Sequence, residues 1–249
     1  MRSGKILLPI LLVGFVLTSQ SLYAQKTIVV ITPHPDDAEA SCGGLIANAI
    51  AEKNKVIIIT MTGGELGIAG KSKEEAHAIR TVEAKNAAAV LGAKIEFFGA
   101  IDASLAVDFA NTSRLTEMLL LWKPSVVLAP WPLDVHVDHQ ATGLLAWRVF
   151  QDKQLSFDLF FYETINEPHT KTFDFSPTDY VDISNVIEKK KRALLQHKSQ
   201  EPERWWGMYQ TLATVRGYEA DVPYAEAYIH AQNSSGMGGR SAKTLLTQN

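Results

Sequence analysis

Thr27-Ile28-Val29-Val30-Ile31-Thr32 runs straight into Pro33-His34-Pro35-Asp36-Asp37. Six consecutive apolar or β-branched residues, with no polar alternation, describe a strand buried on both faces. The turn at its end carries an imidazole and two carboxylates. Further on, Ser125-Val126-Val127-Leu128-Ala129 reads as a second such strand, and His136-Val137-Asp138-His139 comes after it. Between and beyond these, strands and helices alternate. Helices are expected over 39–53, 73–91, 111–122 and 139–152, and strands over 55–61, 94–98 and 158–163. Gly92 stands at a helix C-cap, and Lys123-Pro124 ends a helix. Tyr180–Ile183 adds a late edge strand, and helices over 185–197 and 203–215 complete the pattern. The expected fold is α/β: a Rossmann-like, doubly wound, mostly parallel sheet of five or six strands with helices on both faces.

That fold has a consequence for the two clusters. In the strand order 3-2-1-4-5 the first and fourth strands are neighbours where the winding reverses, and ligands bind beyond the carboxyl ends of strands at that crevice. His34–Asp37 and His136–His139 lie 102 positions apart in sequence, yet they would face each other there.

The ends of the chain read differently from its body. Arg2 and Lys5 precede the apolar run Ile6–Leu17, which leaves through the more polar Thr18–Ser21 and Leu22-Tyr23-Ala24. Residues 1–24 are therefore expected to be a secretory signal peptide, too short for a comfortable span; an uncleaved anchor is the alternative. Residues 25–231 form one domain, and 232–249, rich in Ser and Gly, a flexible tail. A secreted or periplasmic location is the corollary. Loss of Arg2 and Lys5 takes the net charge from −3 to −5, and no basic stripe favours nucleic acid. The one basic run, Lys189-Lys190-Lys191-Arg192, reads as a solvated helix face. Cys42 is the only cysteine, so no intrachain disulfide can form; it reads as a small buried hydrophobe.

A catalytic zinc takes about three nitrogen or oxygen ligands and keeps one position for water. His34 and Asp37, three apart on a Pro-stiffened turn, can aim at one point, and His139 supplies a third ligand. Zn²⁺ suits these donors, with Fe²⁺ or Co²⁺ as substitutes. Asp36 would stand beside the ion as general base for its water. His136 would steady an oxyanion as an imidazolium or protonate a leaving amine. Asp138 would hold His136 in its useful tautomer.

These residues resemble the PIG-L/LmbE-like N-acetylglucosaminyl deacetylases. The likeness lies in His34-Pro35-Asp36-Asp37 with Glu39, Thr62-Gly63-Gly64-Glu65-Leu66-Gly67, Arg80 with Glu83 and Ala84, and His136-Val137-Asp138-His139. Near the end, His197-Lys198-Ser199-Gln200 and Tyr224-Ala225-Glu226-Ala227 add to it. The resemblance implies zinc at His34, Asp37 and His139, Asp36 as base, and removal of an N-acetyl group from an N-acetylglucosamine-type sugar or glycoconjugate. It also implies sugar contacts by Glu65, Arg80 and Asp102, with His197 at the pocket rim. From the residues alone, Glu65 and Arg80 serve equally as a salt bridge between loop and helix. The Gly99–Leu105 loop lacks the Pro-Asp-Gly form of thiol-cofactor relatives. Two other classes share the donor set: a non-haem iron oxygenase, in which Asp36 has no task, and a metal-containing carbohydrate-binding module without turnover, which needs neither Asp36 nor His136.

Overall fold

The computed structural model describes residues 25–152, 154–165 and 173–231; the expected signal peptide and tail lie outside them. Strand β1 (Thr27–Thr32) sits inside a seven-stranded sheet. Ile28 and Val30 enter one hydrophobic layer, Val29 and Ile31 the other. That two-residue period, apolar on both faces, is why this strand is central. It pairs in parallel with β2 (Lys55–Thr62) and β4 (Val126–Pro130). Beyond them, also parallel, lie β3 (Lys94–Ala100) and β5 (Asp158–Tyr162).

Helices cover both faces. On one side, α1 (Asp37–Ala51) and the end of α2 (Lys73–Leu91) pack with α5 (Ile187–Leu194) and α6 (Pro202–Glu219). On the other side are α3 (Phe109–Trp122) and α4 (Val137–Phe150). Helix α2 begins with a reciprocal capping box between Ser72 and Glu75. It ends at Gly92, whose φ of 87° is the expected left-handed C-cap.

The sheet order is β3-β2-β1-β4-β5-β7-β6, with β6 (Asp179–Asp182) and β7 (Ala225–His230). The 3-2-1-4-5 core is as the sequence predicts, and β6 is the expected edge. The difference is β7, which inserts antiparallel between β5 and β6 and raises the count to seven. Its sequence, AEAYIH, opens with alanines and a glutamate, residues poor in strand propensity.

The basic run on α5 also departs from expectation. Lys190 is 2% exposed, and its Nζ lies 2.6 Å from Glu226 Oε1 on β7. Glu226 also accepts the Gly44 and Leu45 N–H groups of α1, at 2.7 and 2.8 Å, and the Tyr228 hydroxyl at 2.9 Å. A buried charge pair persists when hydrogen bonds satisfy it, and this one locks α1 to β7 and α5. Removing one partner strands the other charge. Lys190→Met is therefore expected to lower unfolding free energy by about 3–5 kcal/mol in urea denaturation. A loss below about 1 kcal/mol would mean that the N–H groups and Tyr228 hold Glu226 unaided.

Candidate metal centre

The turn after β1 is built by its neighbours. Pro33 carbonyl accepts both the Thr62 N–H (2.9 Å) and the Thr62 hydroxyl (3.0 Å), so the end of β2 fixes the exit of β1. The His34 N–H donates to Asp37 Oδ2 at 3.1 Å. Arg80, buried on α2, donates to the carbonyls of Gly64 and Pro35 and to Asp36 Oδ2 at 3.0 Å. Gly64 (φ 61°) has to be glycine, because a Cβ there would lie 2.1 Å from the Arg80 guanidinium. Asp36 itself is strained. Its φ of 112° is rare for any residue with a Cβ, and its side chain caps no helix N–H.

The two clusters meet at the switch point. His34 Nδ1, His139 Nε2 and Asp37 Oδ2 form a triangle with sides of 3.2, 3.2 and 3.3 Å. Three ligands of a tetrahedral zinc at about 2.0–2.1 Å stand roughly 3.3–3.4 Å apart. These three donors therefore fit such an ion without rearrangement.

The outward nitrogens are engaged as well. His34 Nε2 lies 3.2 Å from Asp102 Oδ1 and 3.2 Å from Asp138 Oδ2. His139 Nδ1 lies 3.3 Å from Asp134 Oδ2 and 3.1 Å from Thr164 Oγ1, and Thr164 donates in turn to Asp134. A histidine whose far nitrogen is held by a carboxylate is the usual frame of a metal ligand, since it fixes ring orientation and raises basicity.

The electrostatics agree. Burial disfavours a charge on His34, but Asp102, Asp138 and Asp37 outweigh it and hold the ring well above its ordinary pKa. Burial likewise opposes the charge on His139, yet Asp37 and Asp134 raise it to about 9. Burial pushes Asp37 up, but His139 and His34 carry its carboxyl well below the usual range. The site thus gathers positive charge, as protons, at the point where a divalent cation would displace them. Asp36 goes the other way: burial lifts its pKa and Arg80 only partly opposes that. A lifted carboxylate is the better proton acceptor.

Two of the expected roles change. Asp138 does not orient His136 through its carboxylate, which is turned to His34 and accepts the Ala103 and Leu105 N–H groups. The Asp138 main-chain N–H instead donates to His136 Nδ1 at 3.2 Å, leaving the proton on Nε2. His136 is also no ready imidazolium. Burial and the charges of His34 and His139 lower its pKa, which makes a neutral Nε2–H donor. One of its ring nitrogens lies within 4.8 Å of those of His34 and His139.

The expected sugar contacts point into the protein. Glu65 Oε1 accepts the Asp102 N–H, and Asp102 Oδ2 accepts the Leu66 N–H, both at 3.0 Å. Together they tie the β2 and β3 loops to His34. Arg80 is spent on Asp36 and the two carbonyls. His197 is fully buried, 3.2 Å from Glu39 Oε2. It lines a cavity of about 100 Å³ together with Asp36, Asp37, Ile165, Trp205 and Tyr209.

Asp134 and Thr164 went unseen in the sequence. Asp134 precedes His136 by two residues, within the loop after β4, a position that could have flagged it. Asp134→Asn is expected to weaken zinc affinity about 10- to 100-fold, read by competition with a chromophoric chelator, with the far-ultraviolet circular dichroism unchanged. Unaltered affinity would remove Asp134 from the metal's support.

Similarity to known proteins centres on the same region. The family model described as PIG-L: GlcNAc-PI de-N-acetylase matches residues 29–150, from β1 to the end of α4. Diacetylchitobiose deacetylase of Thermococcus kodakarensis is 29% identical over 217 residues, 81% of each chain. The 4-oxalmesaconate hydratase of Pseudomonas putida is 26% identical over 245 residues, 89% of this chain and 93% of the other. The solved N,N'-diacetylchitobiose deacetylase of Pyrococcus horikoshii, in complex with an inhibitor, superposes with a TM-score of 0.75 at 28% identity, covering 84% of each chain. The matched segment carries both clusters and the two strands that bring them together, and it is what this chain shares with the PIG-L/LmbE-like deacetylases.

Proposed function

We propose that this protein is a metal-dependent amide hydrolase that removes the N-acetyl group from an N-acetylglucosamine-type sugar or glycoconjugate. The observation that carries this reading is the donor triangle of His34, Asp37 and His139, with Asp36 next to it in sequence but held off it by Arg80. Zinc suits these donors, and when bound it would supply Lewis acidity and lower the pKa of a coordinated water. Asp36, with its lifted pKa, accepts the proton of the attacking water. His136 presents its Nε2–H to the oxygen that becomes negative as water adds to the carbonyl. The amide C–N bond then breaks, the nitrogen takes a proton, and a carboxylate and a free amine leave.

The hydratase relative raises a different chemistry, on an unsaturated polycarboxylate. The site disfavours such a substrate. Asp36 and Asp37 line the cavity together with His197, and its lining holds no lysine or arginine among the described residues. Arg80, the cation nearest the turn, is already bound to Asp36 and two carbonyls.

Metal-stripped protein is expected to release no acetate from N-acetylglucosamine derivatives until zinc is restored. Asp36→Ala should keep zinc but lose about 10²- to 10⁴-fold in kcat, whereas His139→Ala should lose both. Zinc lost from Asp36→Ala would overturn the division between base and ligand. We further propose export through residues 1–24. N-terminal sequencing of the protein from its native host should begin near Gln25, and a mature chain starting at Met1 would refute cleavage.

A further inference from the structure

We propose that the cavity beside Asp36 and Asp37 is an acyl-chain pocket, sized for an acyl group longer than acetyl. This rests on the amide-hydrolase reading and extends its range of acyl groups. The cavity opens against the two carboxylates at the head of α1, and its walls are Ala40, Ile165, Leu194, Trp205 and Tyr209.

Besides Asp36, Asp37 and His197, three of its lining residues carry polar groups of the kind a sugar needs, and the donors of all three are already engaged. The Trp205 indole N–H donates to the Gln200 carbonyl at 2.8 Å. The Tyr209 hydroxyl donates to the Ile165 carbonyl at 3.1 Å and accepts the Ile165 N–H at 3.2 Å. The Gln200 amide donates to the Gly67 carbonyl and to Ser199 Oγ. Away from its catalytic end, where Asp36, Asp37 and His197 stand, the cavity therefore offers an occupant mainly ring faces and aliphatic carbon. A pyranose would bury hydroxyls there without partners, at a cost no contact returns. A hydrocarbon chain would not.

Size selects the chain. At about 100 Å³, where about 10–15 Å³ on the same measure holds one water, the space has room for several waters. The single methyl of an acetyl group would leave most of it empty. Ala40 is part of the reason, since its side chain keeps α1 from filling the space. A chain of a few carbons beyond the carbonyl, such as butyryl, has room in it. Each methylene moved from water into such a wall should raise kcat/KM by up to about fourfold.

The test is kcat/KM for N-acetyl-, N-propionyl-, N-butyryl- and N-hexanoylglucosamine with the zinc-loaded protein, read as release of free amine. The expected result is a rise from acetyl to butyryl. Ile165→Trp should then reduce the butyryl-to-acetyl ratio about tenfold, and Trp205→Ala should shift the optimum towards hexanoyl. Because the readout is a ratio, a partial loss of folded protein does not alter it. Hydrolysis of the acetyl compound with steadily falling rates for longer chains, or a ratio unmoved in both variants, overturns the pocket while leaving the amide hydrolase intact. Absence of turnover at every chain length overturns both.

Discussion

Too much buried negative charge in one place is the constraint on which the rest of this structure depends. Asp37, Asp102, Asp134 and Asp138 are buried around His34 and His139, and Asp36 stands at their edge. Such a cluster is costly unless cations enter it. Arg80 is the permanent positive charge at the turn, and it faces Asp36 rather than the triangle. Only protons on the histidines, or a divalent ion in their place, can balance the remainder.

The fold meets that constraint by drawing donors from four strand ends. β1 supplies His34 and Asp37. The loop after β4 supplies Asp134, with Asp138 and His139 on α4. β3 leads to Asp102, and β5 to Thr164. The carboxyl ends of parallel strands converge at the switch point, so side chains distant in sequence arrive there on rigid supports. The Lys190–Glu226 pair serves the same end from below. It holds the second turn of α1, and hence the approach of Asp36 and Asp37, against α5 and β7.

How much of this could be read in the sequence depended on how local each signal was. The unbroken apolar run Ile28–Ile31 could only be a central strand, and its period placed both layers of the core. The His-Pro-Asp-Asp turn and His136-Val137-Asp138-His139 carried their donors within a few residues, so the ligand candidates could be named. The support around them was not legible, because it is made by pairings such as His139 with Asp134 and Thr164, or His34 with Asp102. These depend on which loops meet in space. Lys190 misled for the same reason. A lysine within four consecutive basic residues looks solvated until the strand carrying its glutamate is known, and β7, opening on alanines, gave little sign of being a strand. Asp138 was placed at the right site but assigned the wrong partner. Its main-chain N–H and its side chain serve different histidines, and spacing alone could not separate them.

The strain at Asp36 is best understood from the same crowding. Asp36 and Asp37 are adjacent, yet their carboxylates have to reach different partners. A φ of 112° at Asp36 swings its side chain away from the triangle and towards Arg80, while Asp37 begins α1 and faces the two histidines. Glycine would adopt that backbone freely but would carry no carboxylate. Retaining an aspartate there costs on the order of 1–3 kcal/mol. In return the site has two carboxylates whose environments move their pKa values in opposite directions, Asp37 down and Asp36 up. That separation suits one to the cation-holding role proposed for it and the other to taking a proton.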